Sequence, residues 1–414
     1  MKKVVVTGYG ILSSLGLSAE QNWQSLKLSK SGVKSISEEA GFDHIASKVA
    51  GKVWDYVPTD HFKKKELRRY DPFMQYALLA TREALRQAGI ENNDSKINLD
   101  RAGVAVGSGI GGLNTIQDES KKLHQDGAGR ISPFFIPSSL INMASGFISL
   151  ETGFRGPNLS LVSACASGAH SIIFAAQQIE MGMCDVMICG GSEYATIALG
   201  SGGFSSMRAL STNYNDNPQA ASRPWDRDRD GFVISDGAGI LILESEENAK
   251  KRGAQIIAEF SGYGMNADAY HMIQPSSNGS GAKKCMEMAM QKAEVGPEKI
   301  AYINAHATST PIGDQIEPIA IRAAFMEQAD KLAVSSTKSM HGHMLGAAGA
   351  SEAVITIMAL ENQAVPGTLN CDNPSEGCDL DFVVGGMRSQ KLEYAMSNSF
   401  GFGGTNASLI FAKK

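Results

Sequence analysis

Apolar residues recur along this chain in two rhythms. Short continuous runs at 4–7, 102–107, 185–190 and 239–243 read as strands buried on both faces. Longer stretches at 71–88, 167–181, 282–293 and 350–360 carry apolar side chains at helical spacing, and in the second Ile172, Ile173, Ala176 and Ile179 form the expected core face. The alternation predicts an α/β protein. The tract 211–229, with Asn213, Asn215, Asn217, Pro218 and Pro224, breaks the rhythm and reads as a long surface excursion.

The pattern also repeats. Residues 159–181 run strand, small-residue loop, Ala/Gly-rich helix, and residues 333–360 run the same way. At 414 residues the chain exceeds the size at which a single core stops growing. We therefore expect two halves, 1–252 and 253–414, related by a pseudo-twofold that places Cys165 and His343 at corresponding positions.

Those two loops carry the candidate chemistry. Cys165 lies where strand pattern gives way to helix pattern, and a helix N-terminus favours thiolate, the attacking form of cysteine. The plain alternative is a small core hydrophobe. His306 and His343 follow short strands, where α/β folds place their chemistry, although either alone reads equally well as a satisfied core histidine. His341 forms a His-x-His with His343, too common a pattern to imply metal. Lys338 is the third ionisable group of that loop, either ordering it or lying exposed. The Gly-rich tail 398–406 suits either an oxyanion hole or a simple hairpin.

Composition removes several classes. A net charge of −5 argues against a general nucleic-acid binder. No apolar run approaches the length of a membrane span, and the N-terminus reads as a first strand instead of a signal peptide. The six cysteines are scattered without a Cys-x-x-Cys pair, which disfavours zinc and disulfides and fits a reducing cytoplasm. The Gly-x-Gly-x-x-Gly of 107–112 lacks the rest of a dinucleotide site. The segment from Asp226 starts like a calcium loop but has Gly237 where a bidentate Glu belongs, so it reads as an ion-pair and turn segment.

Six ordered motifs carry a resemblance over the whole chain: Val-Thr-Gly-Tyr-Gly near the start, Ala-Cys-Ala-Ser-Gly around Cys165, Ser-Arg-Pro-Trp-Asp-Arg-Asp-Arg-Asp-Gly-Phe at 222–232, Asn-Ala-His-Ala-Thr-Ser-Thr at 304–310, Ser-Ser-Thr-Lys-Ser-Met-His-Gly-His at 335–343, and the Gly-rich tail. The sequence resembles the β-ketoacyl-acyl carrier protein synthases, most closely the elongating type II enzymes. The resemblance implies a thiolase-like five-layered αβαβα fold of two duplicated halves, as a homodimer. It implies that Cys165 carries an acyl group, that His306 and His343 promote decarboxylation of malonyl-carrier protein, and that the amides of Cys165 and Phe402 form the oxyanion hole, with Phe402 also a gate. Lys338 and Glu352 would organise the histidines, with Glu352 alternatively holding a structural monovalent cation.

By the same resemblance, Thr308 and Thr310 would meet the phosphopantetheine arm. Ile110, Phe204 and, from across the dimer, Phe135 would wall the acyl tunnel. Lys63, Lys64, Lys65, Arg68, Arg69, Arg130 and Arg208 would dock the acidic acyl carrier protein, where the plain reading is a solvated charged surface. No cofactor or metal beyond the carrier's own arm is expected. Ala166, Ser167, Ala307 and His341 depart from common family residues without removing a catalytic group. They leave polyketide and aryl polyene ketosynthases, and a non-catalytic chain-length partner, as alternatives to fatty acid elongation.

Overall fold

The computed structural model describes residues 1–414. Ten strands form one hydrogen-bonded sheet: β1 (Val4–Leu12), β2 (Ala102–Gly107), β3 (Asn158–Leu159), β4 (Val186–Glu193), β5 (Gly237–Ser245), β6 (Ala258–Ala267), β7 (Ile300–Asn304), β8 (Ala333–Ser335), β9 (Tyr394–Gly401) and β10 (Thr405–Lys413). The longer helices that layer with it are α1 (Pro72–Ala88), α2 (Met143–Thr152), α3 (Ser167–Glu180), α4 (Ser280–Ala293), α5 (Gly313–Phe325), which packs on α4, and α6 (Ala348–Asn362). The periodic segments all form, with ends shifted by a few residues. Asp71, for instance, caps α1 through Phe73 N instead of entering the helix.

Strand order is β8-β7-β9-β10-β6-β1-β5-β4-β2-β3. Reading outward from the β6–β1 join, β1-β5-β4-β2-β3 is matched strand for strand by β6-β10-β9-β7-β8. The directions also match: two antiparallel pairings are followed by two parallel ones in each half. Only two residue pairs, Val5–Glu259 and Val6–Ala258, join β1 to β6. The strands of the two halves enclose a central layer in which α3 packs on β4 and α6 on β5 and β9. Outside them, α1 and α2 cover the first half, and α4, with α5 beside it, covers the second. This is the expected five-layered arrangement of duplicated halves.

The central helices explain their small residues. A Cβ on Gly168 of α3 would lie 2.9 Å from Ala350 N of α6, and one on Gly349 would lie 2.9 Å from the Ala169 Cβ. The contact is reciprocal, as a pseudo-twofold requires, and only glycine permits it. The pairing also corrects one expectation. Gly168 and Gly349 are equivalent, so Cys165, two residues before α3, corresponds to Gly346, whereas His343 stands five residues before α6. The loops are equivalent, but Cys165 and His343 are not.

The tract 211–229 is corrected too. Its middle is exposed, but it returns through Ala221–Asp226, which are buried, and Trp225 is fully enclosed and stacked on Phe382 with ring centroids 4.0 Å apart. Burial of an indole outweighs the local turn chemistry. The return supports the second half's loops: Ser222 Oγ donates to Lys338 O at 2.8 Å and Arg223 N to Ser309 Oγ at 3.0 Å. Asp226 serves the ion-pair role read for it, taking Arg223 Nε at 3.0 Å.

Candidate active site

Chain entering α3 turns sharply at Ala164, whose φ of +50° costs about 1 kcal/mol in a residue with a Cβ. Ser167 closes that turn, its Oγ accepting from Ser163 N and donating to Ala164 O. Cys165 is thereby presented at the floor of a cavity of about 530 Å³ that both halves line. Ile110 and Phe204 wall it from the first half; His306, Thr308, Thr310, His343 and Phe402 line it from the second.

His343 Nε2 lies 3.0 Å from Cys165 Sγ, and the His306 ring stands edge-on to His343 with centroids 5.4 Å apart. One ligand-capable atom from each of the three lies within 4.8 Å of the others. A soft metal could be spanned by such a set, but Nδ1 of each imidazole meets no protein partner, and metal-bound histidines normally have theirs anchored by a carboxylate or carbonyl. The spacing suits a reacting carbon held between sulfur and imidazoles.

Electrostatics overturn the thiolate expectation. Burial pushes the Cys165 thiol up to about 12, against downward pulls from Lys338 and from the amides of Phe402 and of Cys165 itself. Burial, and secondly the Lys338 cation, hold His306 and His343 well below the usual histidine range. The resting site is therefore a neutral thiol beside two neutral imidazoles. The helix terminus is present, but desolvation of the sulfur outweighs it.

Behind the cavity, Lys338 is fully buried, ion-paired with the equally buried Glu352, and donates to Ala305 O at 3.4 Å. Burial raises Glu352 to about 7, with Lys338 opposing. Neither side chain reaches the cavity, so both act on the histidine loops from behind. Two further acids had been missed. Glu317 accepts the His306 and Ala307 amides at 3.0 and 2.8 Å, and Asp314 accepts those of Thr308, Ser309 and Thr310. Their signal was available: Asp314 and Glu317 share the face of α5 that also buries Ile321 and Ala324. The Thr308 and Thr310 hydroxyls consequently sit 3.1 Å apart on the cavity wall.

With this geometry in view, the relatives are informative. Residues 1–249 match the family model described as the N-terminal domain of beta-ketoacyl synthase, and residues 257–372 match that of its C-terminal domain. The chain belongs to the β-ketoacyl synthase family. It is 48% identical over its full length to 3-oxoacyl-[acyl-carrier-protein] synthase 2 of Coxiella burnetii and 49% to that of Vibrio cholerae, covering 99% of each. Among solved structures, a beta-ketoacyl synthase from Burkholderia phymatum superposes with a TM-score of 0.93 at 35% identity, both chains fully covered. A type II PKS ketosynthase, solved with its acyl-carrier protein, gives 0.92 at 32%, over 100% of this chain and 99% of that one.

In this synthase the remaining candidate residues divide by position. Arg208 stands at the cavity mouth. Lys63, Lys64, Lys65, Arg68, Arg69 and Arg130 are exposed elsewhere on the first half, Arg69 lying over the Phe134 ring at 5.0 Å. None of the seven cations has an ion-pair partner within the chain. Phe135 does not reach the cavity of its own chain; it borders a separate small recess with Ile116, Leu123 and Ile131. The tail 398–406 is a hairpin that also brings Phe402 to the cavity, so the two readings of it hold together. No helix is long and apolar enough to cross a membrane.

Proposed function

We infer that this synthase elongates fatty acyl chains by decarboxylative condensation of malonyl-carrier protein with an acyl group held on Cys165. The 3.0 Å approach of His343 Nε2 to Cys165 Sγ, with His306 opposite in one cavity, carries the reading. In acyl transfer His343 takes the thiol proton while sulfur attacks the carrier thioester. The carrier's thiol leaves with that proton. The amides of Cys165 and Phe402 stabilise the tetrahedral oxyanion. The malonyl thioester then loses carbon dioxide. The electron pair of the broken bond becomes an enolate whose oxygen accepts from His306 and from His343, the latter now in the tautomer with its proton on Nε2, and its carbon attacks the Cys165 thioester. Cys165 departs as thiolate and takes one proton from solvent, which balances the loss of the malonyl carboxylate as carbon dioxide.

Neutral imidazoles suit this task, since they donate hydrogen bonds without protonating the carbanion. Lys338 and Glu352 position them, and we read Glu352 as the lysine's partner and not as a cation ligand. Full-length relatives at 48–49% identity named 3-oxoacyl-[acyl-carrier-protein] synthase 2 favour fatty acid elongation over polyketide assembly, for which the ketosynthase above is a 32% relative. The presence of the nucleophile disfavours a non-catalytic chain-length partner.

The unpaired cations of the first half fit an acidic carrier protein. Leu159 on the free edge of β3, with Leu150 and Val162 exposed near it in sequence, supports a homodimer in which Phe135 faces the partner. Six unpaired cysteines suit the reducing cytoplasm. The test is to incubate the protein with acyl- and malonyl-carrier protein and weigh the products. Wild type should form a β-ketoacyl carrier, and Cys165→Ala should lose it by at least about three orders of magnitude; equal product from both, or none from wild type, sinks the reading.

A further inference from the structure

Glu193 ends β4 beside the cavity and is fully buried among uncharged donors. Its Oε1 accepts the Ser108 hydroxyl at 2.7 Å and the Ile110 amide at 3.2 Å. Its Oε2 accepts the Gly109 amide at 2.7 Å and, from the other half of the molecule, the Gly346 amide at 3.0 Å. The Gly-rich loop 107–112 is thus an anion nest filled by the protein's own carboxylate, which accounts for the motif without a dinucleotide.

The two loops meet over this group closely enough to require glycine on both sides. A Cβ on Gly109 or on Gly346 would lie 2.7 Å from Glu193 Oε2, and one on Gly346 would come within 2.1 Å of Gly109 N. Gly109 and Ile110 line the cavity, and Gly346 stands three residues after His343. We propose that Glu193 is a positioning residue for condensation, clasping the acyl-pocket loop 107–112 to the His343 loop so that acyl chain and imidazole keep a fixed relative placement.

The substrates in this proposal rest on the condensing function above, but one readout does not. Glu193 also raises the thiol pKa of Cys165, against Lys338; the other titratable groups facing the sulfur, His306 and His343, are held neutral. Replacing Glu193 by an isosteric amide therefore moves alkylation of Cys165 to lower pH, a shift that mere loosening of a loop does not give.

The experiment compares wild type, Glu193→Gln and Glu193→Asp by site-resolved iodoacetamide labelling of Cys165 across pH and by kcat and KM with a series of acyl-carrier proteins. Glu193→Gln should shift the labelling midpoint downward, lower condensation kcat about ten- to a hundredfold, the cost of a misplaced reacting group, and alter the ranking of acyl lengths. Glu193→Asp should restore the labelling midpoint but not the acyl ranking. A folded Glu193→Gln with the wild-type midpoint, kcat and acyl ranking overturns the clasp. Should Glu193→Gln not fold, Ser108→Ala, which removes one donor, decides: a changed acyl ranking supports the clasp and an unchanged one overturns it. A wild type that labels normally but makes no β-ketoacyl product defeats the proposed function, while the midpoint shift still reports on the clasp.

Discussion

Chain entering the central helix of the first half carries a sulfur, whereas the equivalent stretch of the second half carries Lys338, His341 and His343. The same β-strand order and the same reciprocal helix crossing thus hold different chemistry. The first half provides Cys165, the Ile110 and Phe204 walls and all seven unpaired cations proposed to dock the carrier protein. The second provides both reactive histidines, their buried ion pair, the Thr308–Thr310 pair and the Phe402 hairpin. Duplication places two loops at one cleft, and divergence between them puts a thiol on one and imidazoles on the other, the division on which the proposed function rests. Each half also fills a loop with a buried glutamate, Glu193 beneath 107–112 and Glu317 beneath His306.

The comparison breaks first at Lys338. Lys338→Met leaves Glu352 enclosed without its cation, which should cost about 3 kcal/mol in urea unfolding. It should also lower condensation more than acylation: condensation uses both imidazoles that the lysine backs, while acylation uses His343 alone and loses the lysine's modest pull on the Cys165 thiol. Equal loss of both steps would mean that the halves are not separable in this way.

A change confined to the first half should act differently. Lys64→Glu with Arg208→Glu should raise KM for the carrier-bound substrate about tenfold at low salt. The rate with a small acyl thioester should stay unchanged, because neither cation touches the reacting atoms. If both substrates suffer alike, the cations are not a docking surface.

The smallest effect is expected at His341. Burial and Lys338 hold its pKa at about 3, and its ring bridges Thr337 Oγ1 and Gly342 O. The unfolded chain binds a proton there below about pH 6.5, and the folded chain refuses it until about pH 3. This group therefore makes stability fall as pH falls through that window. His341→Thr should flatten the acid side of a Tm-against-pH profile, and an unaltered slope would count against the neutral, enclosed ring.

Much of this division was legible in the chain. Ile172, Ile173, Ala176 and Ile179 marked the core face of α3 because helical periodicity survives burial, and all four are enclosed. Small residues around Cys165 and His343 flagged two similar loops. What local pattern lacked was tertiary. Trp225 sits in turn-forming sequence yet is buried by a long-range stack on Phe382. Asp314 and Glu317 sit on the buried face of a helix, but helical periodicity does not show that their carboxylates turn back onto the amides of the loop just before it. The thiol of Cys165 was expected to ionise from its place before a helix, and desolvation by the surrounding loops reversed the sign. Alignment of the two loops by motif also paired Cys165 with His343, which the crossing of Gly168 and Gly349 corrects by three residues.

The central claim, that Cys165 carries the acyl group while the second half drives decarboxylation, is tested most directly by intact-mass measurement on His306→Ala and His343→Ala. Each variant would be given acyl-carrier protein and then malonyl-carrier protein. His306 makes no hydrogen bond to the sulfur, so His306→Ala should accumulate acyl-Cys165 at near wild-type rate and fail to release carbon dioxide from the malonyl group. His343→Ala, which removes the group 3.0 Å from Sγ, should be slow in both steps. If His306→Ala loses acylation as severely as decarboxylation, the division of labour between the two halves is wrong.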